Sequence, residues 1–180
     1  MNQTTEKVTL YATFISDILN IYENKRENYR DLFKIVEGYD LSDPFKPVPF
    51  ELYNQVCSWI EINLGNYSLI QAGRKIGETA FKLMIQKGLV GKRPSPQEVM
   101  QGLIQLVNQV VFDPQNRGWE IIKSEPKQIH LRKTLDFNNK LQEGFLHGLL
   151  LKSGVSGIRV TLVKDIQAGD LYDEYLLSWF

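Results

Sequence analysis

The chemistry open to this sequence is narrow. It holds two histidines, His130 and His147, and one cysteine, Cys57. A general base or a haem ligand would be one of the histidines. His130 shares its strand face with Gln128 and Arg132, while Ile129 and Leu131 take the opposite, apolar face. His147 falls on its helix near Glu143 and Lys140, away from Leu141, Phe145 and Leu149. Both spacings predict histidines at the surface or rim, with Glu143 and His147 set for a modest (i, i+4) pair. Cys57 lies on the edge of an apolar helical stripe beside Leu64 and Phe50, the setting of a buried structural thiol. There is no G-x-S-x-G elbow, no GxGxxG and no P-loop. Adjacent carboxylates such as Asp173 and Glu174 point to opposite faces of a strand and read as solvated. Two histidines and one cysteine nearly exclude a three-ligand zinc site. The chain is therefore expected not to be an enzyme and to need no cofactor.

A binding pocket is the better candidate. Apolar helices packed on a small sheet can enclose a cavity, here lined by Phe14, Trp59, Phe81, Met84, Met100 and Phe145. The competing expectation is that these side chains simply fill the core. Arg74 sits between Gly73 and Gly77 on a helix whose middle is unusually small. It would either meet a carboxylate or phosphate, or extend to solvent. Gly73 and Gly77 each cost a helix about 1 kcal/mol against alanine, so another element or a ligand is expected close to that backbone. The candidate ligand residues are thus Phe14, Trp59, Arg74, Gly77, Phe81, Met84, Met100 and Phe145.

These residues must be placed by helices first and strands later. Residues 1–7 read as a flexible tail and 8–12 as a short strand or a helix start. Phe14, Ile15, Ile18, Leu19 and Tyr22 recur at helical spacing, and a second helix runs from Glu27 to Glu37 with Gly38 as its cap. Pro44, Pro47 and Pro49 make 40–49 an ordered loop. One helix runs from about Phe50 to Leu64 and stops at Gly65, and another from Ser68 to Lys87. Ser95-Pro96 with Glu98 writes a capping box for the next, which closes at Asp113-Pro114. Trp119–Lys123 and Gln128–Thr134 then form a hairpin. A helix over Asn138–Lys152, a strand over 158–162, a turn over 167–170 and a last strand around Tyr175, Leu177 and Trp179 complete the order. The fold class is α+β in one domain. A helical lobe of about five helices packs on a small, mainly antiparallel four-stranded sheet with one helix inserted between strands.

Composition narrows the partners. Basic and acidic residues number 21 each, so no global field favours nucleic acid or an anionic membrane. Lys87, Lys92 and Arg93 form one small basic loop and Arg132-Lys133 another, neither interleaved with aromatics. Balanced charge permits self-association, so a homodimer is open to it. No stretch approaches the roughly 20 apolar residues of a membrane span. A single cysteine and a polar N-terminus fit the reducing cytoplasm.

The order of elements carries a resemblance. Gly144-Phe145-Leu146-His147-Gly148-Leu149-Leu150 follows a hairpin and precedes a strand, a Gly169-Asp170 turn and a strand ending near Trp179. Upstream stand Pro47-Val48-Pro49, the Leu64-Gly65 stop, Ala72-Gly73-Arg74 and Ser95-Pro96-Gln97-Glu98. From about Val8 to Trp179 the chain resembles the superfamily that joins haem-nitric-oxide-binding (H-NOX) domains, four-vinyl-reductase-like small-molecule domains and TRAPP trafficking subunits. The resemblance implies a scaffold that binds small apolar molecules or docks to partner proteins. H-NOX domains hold haem through a helix histidine and a Tyr-x-Ser-x-Arg element. Here Thr9 to Asp113 contains no histidine, and the corresponding strand reads His130-Leu131-Arg132-Lys133-Thr134. The cysteine and zinc-like features of some four-vinyl-reductase-like domains are missing as well. The expectation is a haem-free sensory or regulatory domain that takes a small apolar or amphipathic ligand and signals to a partner protein. An interaction or scaffolding module with a filled core is the alternative, and a haem-based gas sensor the third. An enclosed pocket above roughly 300 Å³ would favour the sensor.

Overall fold

The computed structural model describes residues 7–180. The predicted tail lies outside these residues except for the exposed Lys7. Strand β1 (Thr9–Tyr11) settles the first ambiguity as a strand. Helix α1 (Thr13–Asn20) buries Phe14, Ile15, Ile18 and Leu19, as their spacing predicts. The predicted Glu27–Glu37 helix is instead a 3₁₀ segment (Glu23–Tyr29) followed by the short α2 (Arg30–Ile35). Leu32 and Phe33 are its buried anchors, with the partly buried Tyr29 and Ile35 packed beside them. The proline loop contains a strand the pattern did not show, β2 (Pro47–Pro49), paired antiparallel to β1. Proline lacks a ladder donor and so occupies a sheet edge, which is where β2 sits in the order β2-β1-β3.

Helix α3 (Phe50–Gln86) is broken at Gly65, whose φ of 82° is open to glycine and strained for other residues. Helix α4 (Pro96–Val110) starts on the predicted capping box: the Ser95 hydroxyl accepts from the Glu98 amide at 3.3 Å, and the Glu98 carboxylate accepts from the Ser95 amide at 2.7 Å. It runs into β3 (Val111–Phe112), which pairs with β1 before Asp113 turns the chain.

Strands β4 (Trp119–Glu125) and β5 (Gln128–Lys133) form the hairpin, joined across Pro126-Lys127. Helix α5 (Asn139–Leu151) follows, then β6 (Arg159–Lys164), a 3₁₀ turn (Ile166–Ala168) and β7 (Asp173–Ser178). The sheet order is β4-β5-β7-β6, antiparallel throughout. Its inner face buries Trp119, Ile129, Leu131, Tyr175 and Leu177 against the helices. Each such apolar side chain contributes about 1.5–3 kcal/mol. Across its outer face Glu120, Arg132, Glu174 and Lys164 stand opposite one another in register, alternating in sign.

The two lobes are locked by the crossing of α5 over the second half of α3. Gly73 and Gly77 face the α5 backbone, and Gly144 and Gly148 face that of α3. A Cβ on Gly77 would lie 2.6 Å from the Phe145 carbonyl oxygen, and one on Gly148 2.6 Å from that of Arg74. The small middle of this helix is therefore explained by close approach of another helix.

Candidate functional site

The interior between α1, α3, α4 and α5 is where this architecture offers a pocket. Phe14 of α1, Tyr53, Ile76 and Ala80 of α3, Leu103 and Val107 of α4, and Gln142 and Phe145 of α5 surround a cavity of about 40 Å³. The amide of Gln142 donates to the Tyr53 hydroxyl at 3.5 Å, and apolar atoms make up most of the remaining wall. Burial drives the Tyr53 phenol well above its ordinary pKa, so it stays protonated. One water needs roughly 10–15 Å³, so this space admits a few waters or a molecule of a few atoms.

Of the eight predicted ligand residues, Phe14 and Phe145 line this cavity. Met84 and Met100 are fully buried as core packing, with Met84 close under Gly102 of α4. Trp59 and Phe81 are half-buried at the margin of the core. Gly77 is covered by α5, and Arg74 is exposed. Arg74 therefore does not reach the cavity, because its position on α3 turns it outward beside α5. Cys57 is buried, and burial raises its pKa well above the ordinary thiol value, followed by the charge of Glu61. His130 lies on the outer sheet face with Nε2 2.9 Å from the Glu174 carboxylate. His147 is half-buried on α5, where burial and then the Arg74 charge lower its pKa against the opposing Glu143. Neither histidine lines the cavity.

The charged residues near the sheet overturn two expectations. Asp173 and Glu174 are buried rather than solvated. Arg132 and Lys133 belong to β5 rather than to a basic loop, and Lys133 is fully enclosed. The alternation puts Lys133 and Asp173 on the inner face, where Lys133 Nζ meets Asp173 Oδ2 at 2.9 Å. Lys133 Nζ also donates to Asn139 Oδ1 at 2.6 Å and to the Phe137 carbonyl. The Tyr175 hydroxyl donates to the same Asn139 oxygen at 2.8 Å. Burial lowers the Lys133 pKa, and the nearby Asp173 opposes that shift. All three ammonium donors are satisfied, so this network holds α5 to the sheet and leaves no free group for chemistry. On the outer face Glu174 accepts from Arg132 at 3.0 Å and from Lys164 at 3.2 Å. Burial alone would raise its pKa, but these cations hold it below the usual carboxylate value. No sequence pattern announces either network, since their members lie up to 42 positions apart.

Among the described residues no group of three or more His, Cys, Asp or Glu side chains is arranged to hold a metal ion. No helix among them is long and apolar enough to cross a membrane.

No family profile and no curated protein matches the sequence. Solved structures do match the fold. The H-NOX protein of S. oneidensis in its Fe(II)NO state superposes with a TM-score of 0.72 at 11% identity, covering 95% of this chain and 99% of that one. The solution structure of a variant Shewanella oneidensis H-NOX domain in its Fe(II)CO state gives 0.66 at 13% identity, covering 91% and 97%. The unliganded Fe(II) H-NOX protein from K. algicida gives 0.59 at 11% identity, covering 95% and 97%. The chain has an H-NOX-like fold.

Proposed function

We propose that this chain is a haem-free regulatory domain on the H-NOX fold, working by non-covalent docking to a signalling partner protein in the cytoplasm. The interior carries this reading. Haem iron is held by histidine, cysteine, methionine or tyrosine side chains. The cavity wall offers only Tyr53 from that set, a protonated phenol already engaged by Gln142. About 40 Å³ cannot take a macrocycle. The residues present do not fit the group that the structurally similar proteins carry.

The same volume weakens the expected amphipathic-ligand sensor. Small-molecule sites run to about 300–1,000 Å³. A filled interior and exposed apolar side chains such as Ile62 and Leu171 favour function at the surface. Native mass spectrometry of the protein purified from cells tests this. The expected mass is that of the 20.8 kDa polypeptide. A stoichiometric small-molecule adduct would overturn the filled interior and restore the ligand sensor.

A further inference from the structure

We propose that the groove beside the 165–172 loop docks a basic, apolar segment of a partner protein; the proposal rests on the regulatory reading above. The groove has a volume of about 610 Å³ and runs between this loop, the 115–117 turn and the ends of β4 and β5. Its edge carries Leu171, 86% exposed. This leucine does not stand on a loose loop. The Asp165 amide donates to Asp170 Oδ2 at 2.9 Å, and the Asp170 amide returns to the Asp165 carbonyl at 3.1 Å. The Ile166 amide donates to Asp173 Oδ1 at 2.9 Å, tying the loop to the buried Lys133 network. The loop thus holds Leu171 in water, with half-buried Ile166 and Tyr172 beside it in the same groove. Because the loop backbone is already held, covering this leucine removes an apolar side chain from water without the cost of ordering the loop.

The charges say what covers it. Glu120, Asp136 and Asp170 stand on the groove walls. The one basic wall residue, Arg117, has its guanidinium on Asp113 at 2.7 and 3.2 Å. Arg132 lies over the Tyr172 ring at 4.7 Å, is held by Glu174 at 3.0 Å and lies 3.7 Å from Glu120, so it offsets part of the Glu120 charge, and Asp136 and Asp170 carry the rest of the acidic wall. An apolar strip walled by carboxylates complements lysine or arginine interleaved with leucine-like side chains, and repels an acidic segment.

Fluorescence anisotropy with a short labelled amphipathic peptide of lysine and leucine tests this at low salt. A peptide with glutamate in place of lysine is the control. The wild-type chain is expected to bind the lysine peptide and not the glutamate one. Leu171→Ser and Asp136→Asn should each weaken binding of the lysine peptide, the first by about tenfold or more, and the unfolding temperature of Leu171→Ser should be unchanged because that side chain is exposed. Failure of the wild type to bind, equal binding by both variants, or equal binding of the glutamate peptide would overturn the proposal. These outcomes are separate from the haem question. Peptide binding lost in both variants supports the groove even if the protein also takes up haem. A wild type that binds neither peptide nor haem removes the groove and leaves the haem-free reading.

Discussion

Helix α5 is held on two sides by opposite physics. Toward α3 it makes a backbone-to-backbone crossing, with Gly144 and Gly148 against one helix and Gly73 and Gly77 answering from the other. Toward the sheet its first residue, Asn139, joins a buried ionic network with Lys133, Asp173 and Tyr175. The first contact tolerates no added atom; the second tolerates no missing one. Together they fix α5 between the lobes, and α5 supplies Gln142 and Phe145 to the wall of the small cavity.

Removing one partner of the ionic contact should cost most. Lys133→Ala leaves Asp173 buried without its cation and is expected to lose about 3–5 kcal/mol in chemical denaturation. Replacing both Lys133 and Asp173 with apolar residues should recover much of that loss. A Lys133→Ala variant of wild-type stability would show that the network is not structural. The glycine crossing comes next. Gly77→Leu should destabilise by about 1–3 kcal/mol or more, and Gly144→Ala should follow it in the same direction. Unchanged thermal unfolding in Gly77→Leu would remove the close approach. Smaller again is the α4 cap, where Ser95→Ala is expected to cost about 1 kcal/mol.

The outer sheet face gives a pH signature. The Glu174 pKa is lowered in the folded state, so its contribution is complete above the ordinary value of 4.5 and is lost as pH falls through the folded value. Stability should therefore drop on the acid side, and Glu174→Gln should flatten part of that limb. Asp113, also lowered by Arg117 and backbone amides against its burial, keeps some acid sensitivity in that variant. An acid limb identical in wild type and Glu174→Gln would contradict the ladder.

Much of the helical scaffold was legible because its signals are local. The Ser95–Glu98 box, the Gly65 stop and the stripe of Phe14, Ile15, Ile18 and Leu19 lie within a few residues of one another. Gly73 and Gly77 announced a close neighbour, though not which one. The small sheet was missed because β2 and β3 hold three and two residues, and prolines in β2 argue for a loop. The site was less legible. The neighbours of Arg74 left an anion contact and extension to solvent both open, and the side chain is exposed. Asp173 and Glu174 read as solvated carboxylates and Lys133 as part of a basic loop, because nothing local in the sequence shows their buried partners. Their partners come from strands far apart in the chain, which only the β5–β7 register brings together.

The haem-free reading of this H-NOX-like fold stands or falls on whether the protein binds haem stoichiometrically. The direct measurement is the 350–600 nm absorption spectrum of the protein expressed with a haem precursor and then titrated with haemin. The filled interior predicts no stoichiometric Soret band. A sharp band saturating at one haem per chain would contradict it, and Tyr53, His130 and His147 would then be the first ligands to replace.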